Sequence, residues 1–190
     1  MAKTSLHASG FTIIELMITL AVAAILAAIA APSFTTIIQD NRLVTQINRL
    51  QATLSLARSE AVKRNNSVTT CPSSNGTACI GNWENGLIVF LDIDADGSID
   101  AGDEILRVHG PITAANTLRF GRARVTYAGN ALATGFNGTF TLCDGRGATS
   151  ARGLITNNSG RPRLAIDSNA DGTVDTGTVT TPSTANVTCP

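Results

Sequence analysis

The segment GFTIIELMITLAVAAILAAIAA, residues 10–31, decides the fold of this 190-residue chain. After Gly10 it holds 21 residues, and its polar members are Thr12, Glu15 and Thr19. As an α-helix this stretch would be roughly 31 Å long, about the thickness of the hydrocarbon core of a bilayer. The residues before it include Lys3 and no acid. This charge predicts a cytoplasmic leader followed by an exported chain.

Two interpretations of this segment compete. A secretory signal peptide is typical of a short basic leader before an apolar run that ends in small residues. Glu15 argues against it, because a carboxylate in an apolar segment is costly and serves nothing in a discarded peptide. Beyond residue 31 the apolar residues keep helical spacings of three and four, at Ile47, Leu50, Leu54, Ala57 and Ala61. We therefore predict one helix over about residues 11–64, apolar all round and then amphipathic, which Pro32 kinks rather than ends.

The junction Gly10-Phe11-Thr12-Ile13-Ile14-Glu15 resembles the prepilin peptidase site of type IV pilins and type II secretion pseudopilins. Residues 56–65, 83–89 and 103–107 are similar to the GspH/FimT group of these proteins. The resemblance implies that prepilin peptidase cleaves after Gly10 and that Phe11 becomes the methylated first residue. It also implies that Glu15 pairs with the N-terminal amine of a neighbouring subunit and so helps to set the register of a filament.

The same resemblance implies an α+β protein with the type IV pilin fold, in which a long N-terminal helix packs on an antiparallel β-sheet. Its segments would be a cleaved leader (residues 1–10), a hydrophobic transmembrane and assembly helix (11–34) and a periplasmic globular domain (35–190). The amphipathic half of the helix, to about residue 64, belongs to that domain. We expect a single-pass protein of the inner membrane that then joins other pilins or pseudopilins in a periplasmic or surface filament.

From Val68 onward, short apolar runs alternate with Gly, Asn and Asp, a pattern typical of strands and turns. An antiparallel sheet of these strands would cover the apolar stripe of the helix. The Thr-rich tail, residues 173–190, is poor in apolar residues and therefore needs a tether. The predicted strands are residues 68–71, 87–91, 105–108, 117–120, 125–127, 139–143, 154–156 and 164–166.

Four cysteines lie on the predicted exported side and favour two disulfides, for which three connectivities exist. A Cys71–Cys79 bond would enclose a short polar turn. Cys143–Cys189 would then pin the tail to the sheet, with a stabilisation of about 4 kcal/mol. Zinc is the alternative, but the chain has no CxxC motif and His109 is the one histidine beyond the leader.

Residues 92–103 form the pattern D-x-D-x-D-G-x-I-D-x-x-D, which has the spacing of a calcium loop. Calcium competes here with a simpler interpretation, an Asp/Gly-rich hairpin turn without metal, and we expect no required cofactor. Residues 167–175 resemble the first loop, but Thr178 replaces the final acid. The candidate calcium ligands of the first loop are Asp92, Asp94, Asp96, Ser98, Asp100 and Asp103.

The chain as a whole is neutral, with 14 basic and 14 acidic residues, but residues 107–163 hold eight arginines and one acid, Asp144. This excess predicts either a basic face that docks on acidic neighbours in a filament or a surface that binds DNA phosphates. Gly160-Arg161-Pro162-Arg163 resembles a GRxR motif with which competence-associated FimT-like pilins hold DNA. The candidate DNA contacts are Arg161, Arg163, Arg146 and Arg152.

Catalysis has little support, because neither a GxSxG nor an HExxH motif occurs and His109 has no histidine partner beyond the leader. We therefore expect a structural subunit of a type IV pilus or a type II secretion pseudopilus. The sequence leaves these two roles open. A DNA receptor at a pilus is the second expectation, and the two functions can coexist.

Overall fold

The structure, a computed structural model, describes residues 10–112, 116–177 and 185–190. The predicted leader, apart from Gly10, and Thr178 lie outside the described residues. Helix α1, Ile13–Arg64, confirms the predicted long helix and continues through position 32, so that Pro32 does not end it. The chain divides into two compact units between Gln39 and Asp40, within the span of α1.

The second unit contains two antiparallel sheets, whereas the sequence predicted one. Each sheet has four strands, and the eight strands of the described residues all overlap predicted ones. The strands are β1 Val68–Pro72, β2 Leu87–Leu91, β3 Glu104–His109, β4 Thr117–Arg119, β5 Val125–Tyr127, β6 Gly138–Cys143, β7 Arg152–Thr156 and β8 Arg163–Leu164. The first sheet has the order β3-β2-β1-β5 and the second the order β4-β6-β7-β8. Apolar alternation locates strands but does not specify their partners, and for this reason the division was missed.

The amphipathic half of α1 forms one side of the core. All five predicted stripe residues are at most 4% exposed, and Leu43, one turn earlier, extends the stripe. Together they pack in one cluster with Val68 and Val89 of the first sheet and with Phe140 and Leu154 of the second. Full burial of a leucine or valine side chain contributes about 1.5–3 kcal/mol, so this stripe is a major source of the domain's stability.

An aromatic cluster connects the two sheets. Trp83 lies in a short 3-10 helix, Trp83–Asn85, that precedes β2 of the first sheet. Its ring meets Phe140 of β6 edge-on at 4.9 Å, and Phe140 stacks on Phe120 at 3.8 Å. The indole N–H of Trp83 donates to the carbonyl of Arg122 at 3.1 Å, so the buried polar edge of the ring is satisfied.

Candidate processing, assembly and binding sites

The residues around the predicted cleavage site form the start of α1. Thr12 caps the helix, since its side-chain oxygen accepts a hydrogen bond from the backbone N–H of Glu15 at 3.2 Å. Threonine followed three residues later by glutamate is the sequence of a capping box. Gly10 and Phe11 precede the helix and are exposed, with Phe11 exposed to 85%. The Glu15 side chain is exposed in the first helical turn, where a negative charge is favoured by the helix dipole.

The first half of α1 carries a continuous exposed apolar surface. Its large side chains are about half exposed or more, from Ile13 at 82% to Ile38 at 49%. Among the described residues, α1 is the helix that is long and apolar enough to cross a membrane. Soluble proteins rarely leave such an apolar surface uncovered, so this surface is suited to burial against other apolar groups.

The two disulfides in the structure are those predicted from the sequence. Cys71 is bonded to Cys79 and Cys143 to Cys189. The first bond closes the turn after β1. The second joins β6 to the C-terminal residues, where Val187 is buried beside Cys143 and Ala151. The tail is therefore tethered at this end by a covalent bond and by apolar packing.

The predicted basic face is not gathered into one patch. Arg107 lies on β3 of the first sheet, whereas Arg152 begins β7 of the second. Arg152 pairs with Leu142 of β6 at the start of β7, whereas Arg163 of β8 pairs with Ile155 nearer the other end of β7. At about 3.3 Å per residue, the three positions from Arg152 to Ile155 place Arg152 and Arg163 about 10 Å apart along the strand direction.

Arg146, one of the predicted DNA contacts, is already paired with acidic side chains in the structure. Its guanidinium forms ion pairs with Asp144 and Asp40, each at 2.8 Å. The Asp144 side chain is only 6% exposed. Burial alone would raise the pKa of Asp144, but the hydrogen bonds from Arg146 outweigh this and lower it. Two carboxylates already neutralise Arg146, so it is unsuited to a phosphate. Asp40 precedes Arg146 by 106 positions, so no local sequence pattern could predict this ion pair.

In the Gly160-Arg161-Pro162-Arg163 motif, the first three residues lie in the connection between β7 and β8, and Arg163 begins β8. Gly160 has φ of 71°, and a Cβ at this position would stand 2.2 Å from the carbonyl oxygen of Ala131. Only glycine therefore fits the turn. Arg161 is exposed, and Arg163 is partly buried and donates a hydrogen bond to the carbonyl of Gly177 at 3.1 Å. Among contacts with the described residues, the guanidinium of Arg161 is unpaired, whereas that of Arg163 is partly engaged.

His109 has a structural role, as expected for a lone histidine near a strand end, and its partners lie on α1, 60 and 56 positions away. Its Nδ1 accepts a hydrogen bond from Arg49 Nε at 3.0 Å, and its Nε2 lies 2.9 Å from the hydroxyl of Thr53. The Thr53 hydroxyl donates to the carbonyl of Arg49, so Nε2 carries the proton and donates to Thr53. Burial first, and then the charges of Arg49 and Arg107, lower the pKa of His109. The imidazole is therefore held neutral as a link between α1 and β3.

These features define a class of protein: a pilin-like subunit with a long, partly uncovered N-terminal helix and a disulfide-bonded β domain. A family model described as "Type II transport protein GspH" matches residues 46–160, and a model of the prokaryotic N-terminal methylation motif matches residues 6–31. The chain belongs to the GspH family. Members of this family and of the pilins are structural proteins, and this chain is a structural protein rather than an enzyme.

Solved structures show the same fold. The type IV minor pilin FimU of Pseudomonas aeruginosa PAO1 is 27% identical, with a TM-score of 0.53, over 67% of this chain and 91% of FimU. A second crystal form of FimU gives 26% identity and a TM-score of 0.52, over 65% of this chain and 93% of FimU. No curated protein matches the chain. The predicted type IV pilin fold is thus confirmed.

Proposed function

We propose that this protein is a minor pilin of a type IV pilus, anchored in the inner membrane by α1 with its C-terminal domain in the periplasm. The exposed apolar surface over the first half of α1 carries this proposal, because such a surface must be covered both before and after assembly. Lipid covers it in the membrane, and the helices of other pilins cover it in a filament. The likeness to FimU favours a pilus, and a type II secretion pseudopilus is the alternative.

Glu15 supports assembly in this proposal. A carboxylate that is surrounded by lipid or apolar helices needs a partner, since an unpaired charge there is costly. Cleavage after Gly10 by prepilin peptidase would free the amine of Phe11, and the Phe11 amine of a neighbouring subunit would be that partner. Seven alanines between positions 21 and 31 allow neighbouring helices to approach closely.

Processing and assembly are tested separately. The intact mass of the membrane-extracted protein should correspond to a chain that starts at a methylated Phe11. Gly10→Val should leave the full precursor in the membrane. Glu15→Ala should be processed but largely absent from purified filaments, whereas Glu104→Ala, which changes an exposed acid in the β domain, should assemble normally. A mature terminus beyond residue 30, or normal assembly of Glu15→Ala, would contradict the proposal.

Gene deletion distinguishes the two filaments. Loss of surface pili and of pilus-driven motility, with secretion of exoproteins unchanged, is the expected result for a minor pilin. The opposite pattern would assign the chain to a type II secretion pseudopilus.

DNA binding is a second candidate function, and the turn at Gly160 favours it. We restrict it to Arg161 and Arg163, because Arg146 is neutralised and Arg152 lies towards the other end of β7. Arg161→Gln with Arg163→Gln should weaken binding to duplex DNA and reduce the salt dependence by about two units. Arg152→Gln is the matched control and should change neither. If the parent, the double variant and Arg152→Gln bind DNA equally, filament docking is left as the role of Arg161 and Arg163.

A further inference from the structure

The acidic loop that follows β2 brings three carboxylates together. Asp92, Asp94 and Asp96 each place a carboxylate oxygen within 4.8 Å of the others. Asp94 and Asp96 are exposed, whereas Asp92 is fully buried at the end of β2. Within residues 10–112, 116–177 and 185–190, it is the one group of three or more His, Cys, Asp or Glu side chains that could hold a metal ion. Carboxylate oxygens converging at this separation are suited to a hard divalent cation.

Asp92 has an unsatisfied oxygen at this site. Its backbone N–H donates to the carbonyl of Ser67 at 2.9 Å, and its Oδ2 accepts a hydrogen bond from the hydroxyl of Thr69 at 2.5 Å. Oδ1 is also buried, but no hydrogen-bond donor reaches it from any described residue. A buried carboxylate oxygen without a partner is costly, so native structures seldom leave one in this state. A cation beside Asp94 and Asp96 would supply the missing partner.

The charges of the loop are also uncompensated. Glu104, at its end, forms an ion pair with Arg64 at 2.6 Å. All ion pairs in the described part of the chain involve other acids. None involves a loop aspartate, that is Asp92, Asp94, Asp96, Asp100 or Asp103. Asp92, Asp94 and Asp96 each place an oxygen within 4.8 Å of the others, so these carboxylates repel one another without a paired cation among the described residues.

Arg124 is a cationic side chain beside the loop that could substitute for a metal. It lies against Gly97, where a Cβ would stand 2.3 Å from its guanidinium. Its Nε is buried and has no hydrogen-bond partner among the described residues. Arg124 is thus adjacent to the loop but does not neutralise its carboxylates through an ion pair.

The remainder of the loop is fixed by its own contacts. Asp103 accepts hydrogen bonds from the backbone N–H of Ile93 at 3.0 Å and of Asp100 at 3.3 Å, one on each oxygen. Ile99 packs against the buried cluster of Cys71, Ile88 and Phe90. We therefore assign Asp103 to closing the loop rather than to the ligand set predicted from the sequence.

We propose that Asp92, Asp94 and Asp96, together with Asp100, bind one calcium ion. Calcium accepts six to eight oxygen ligands in flexible geometry, whereas magnesium demands a near-ideal octahedron, so a partly exposed loop of this kind favours calcium. Ser98, at the seventh position of the pattern, would contribute its backbone carbonyl as in other calcium loops. The proposal is independent of the role of the protein in a filament.

The second acidic loop, residues 167–175, differs from the first in the contacts of its first and fifth residues. Both oxygens of Asp167 accept hydrogen bonds from backbone N–H groups, from Asp171 at 3.3 Å and Gly172 at 2.8 Å. Asp171 accepts from Thr173 on one oxygen and from the Asn186 side chain on the other, at 2.9 Å each. The oxygens of Asp167 and Asp171 are thus satisfied without a metal. Asp175, the last acid of this loop, is 3% exposed, and its Oδ1, like that of Asp92, has no hydrogen-bond partner among the described residues. What distinguishes the first loop is that Asp94 and Asp96 converge on its buried carboxylate.

The test is calcium titration of the full-length protein in detergent micelles, followed by calorimetry and thermal unfolding. We expect one calcium per chain with a Kd of about 10⁻⁴–10⁻³ M, as in extracellular calcium modules. Asp94→Asn and Asp96→Asn should each raise the Kd at least about tenfold, because both remove a charged ligand. Asp94 and Asp96 are exposed, so their variants should keep the far-UV circular dichroism of the parent. Asp167→Asn should bind like the parent.

The proposal is overturned if about 10 mM calcium produces neither heat of binding nor a rise in melting temperature, since this concentration exceeds the expected Kd. It is equally overturned if Asp94→Asn binds like the parent or if Asp167→Asn alone abolishes binding. A response of the same size to magnesium or to matched sodium chloride would indicate general screening of charge and would also refute a calcium site. Failure of any of these tests would leave the processing and assembly experiments unaffected.

Discussion

The two disulfides should differ in their contribution to the stability of the β domain. In the chain-entropy description, a disulfide stabilises the native state by removing conformational freedom from the unfolded chain, and the effect grows with the length of the closed loop. Cys71 and Cys79 are 8 residues apart, and Cys143 and Cys189 are 46 residues apart. These separations correspond to about 2.5 kcal/mol and about 4 kcal/mol respectively.

We therefore predict that Cys143→Ala with Cys189→Ala lowers the free energy of unfolding by about 1.5 kcal/mol more than Cys71→Ala with Cys79→Ala. Loss of the packing of Val187, which is 1% exposed, should add to this difference. Urea unfolding of oxidised residues 35–190 measures both variants. A thiol reductant should remove the difference in unfolding free energy between the two variants, because it reduces the one disulfide that each variant retains. The reasoning fails if the two variants have the same unfolding free energy, or if loss of Cys71–Cys79 is the more damaging.

Three further predictions rest on contacts described above. The pKa of His109 is lowered in the folded protein, so the unfolded chain binds more protons than the folded one near and below about pH 6.5. The free energy of unfolding should therefore decrease as the pH is lowered from about 8 to about 5. His109→Gln should flatten this dependence in urea unfolding at several pH values. Arg146→Gln leaves the carboxylate of Asp144 without its partner and should cost about 1–3 kcal/mol at pH 7. Because the pKa of Asp144 is lowered from 3.8, this difference should shrink as the pH falls below about 4, and a constant difference would contradict the pairing. Gly160→Ala should destabilise the domain more than Gly135→Ala: both have positive φ, which costs an alanine about 1 kcal/mol, but only Gly160 has an atom in the path of the new Cβ. Equal melting temperatures for the two alanine variants would refute this steric argument.

Local patterns in the sequence predicted the elements of the fold well. The spacing of Ile47, Leu50, Leu54, Ala57 and Ala61 identified the buried face of α1, because helical periodicity places these residues on one side. The strands were predicted for the same reason, since short apolar runs between turn residues are a local signal. The N-terminal motif is equally local, and the family comparisons confirm it.

Contacts between distant residues could not be predicted in this way. The eight arginines of residues 107–163 count as one excess of charge in the sequence. In the fold Arg107 lies on the first sheet, Arg119, Arg152 and Arg163 lie on the second, and the other four lie in the connections. Asp40 neutralises Arg146 only because α1 packs beside the β domain. The same limit applies to His109, whose neutral state depends on Arg49 and Thr53 of the helix. Charge counting therefore overestimated the surface available to DNA.

The placement of the cysteines has a mechanical consequence. All four are in disulfides, and neither bond includes a residue of α1. A force that pulls on the helix would therefore be borne by apolar packing and by hydrogen bonds such as that from Arg58 to the carbonyl of Ala131. Under tension the helix would shear away from the sheets before either disulfide was loaded. An oxidising environment protects the sheets and the C-terminal tail, but it does not strengthen the joint between helix and sheet.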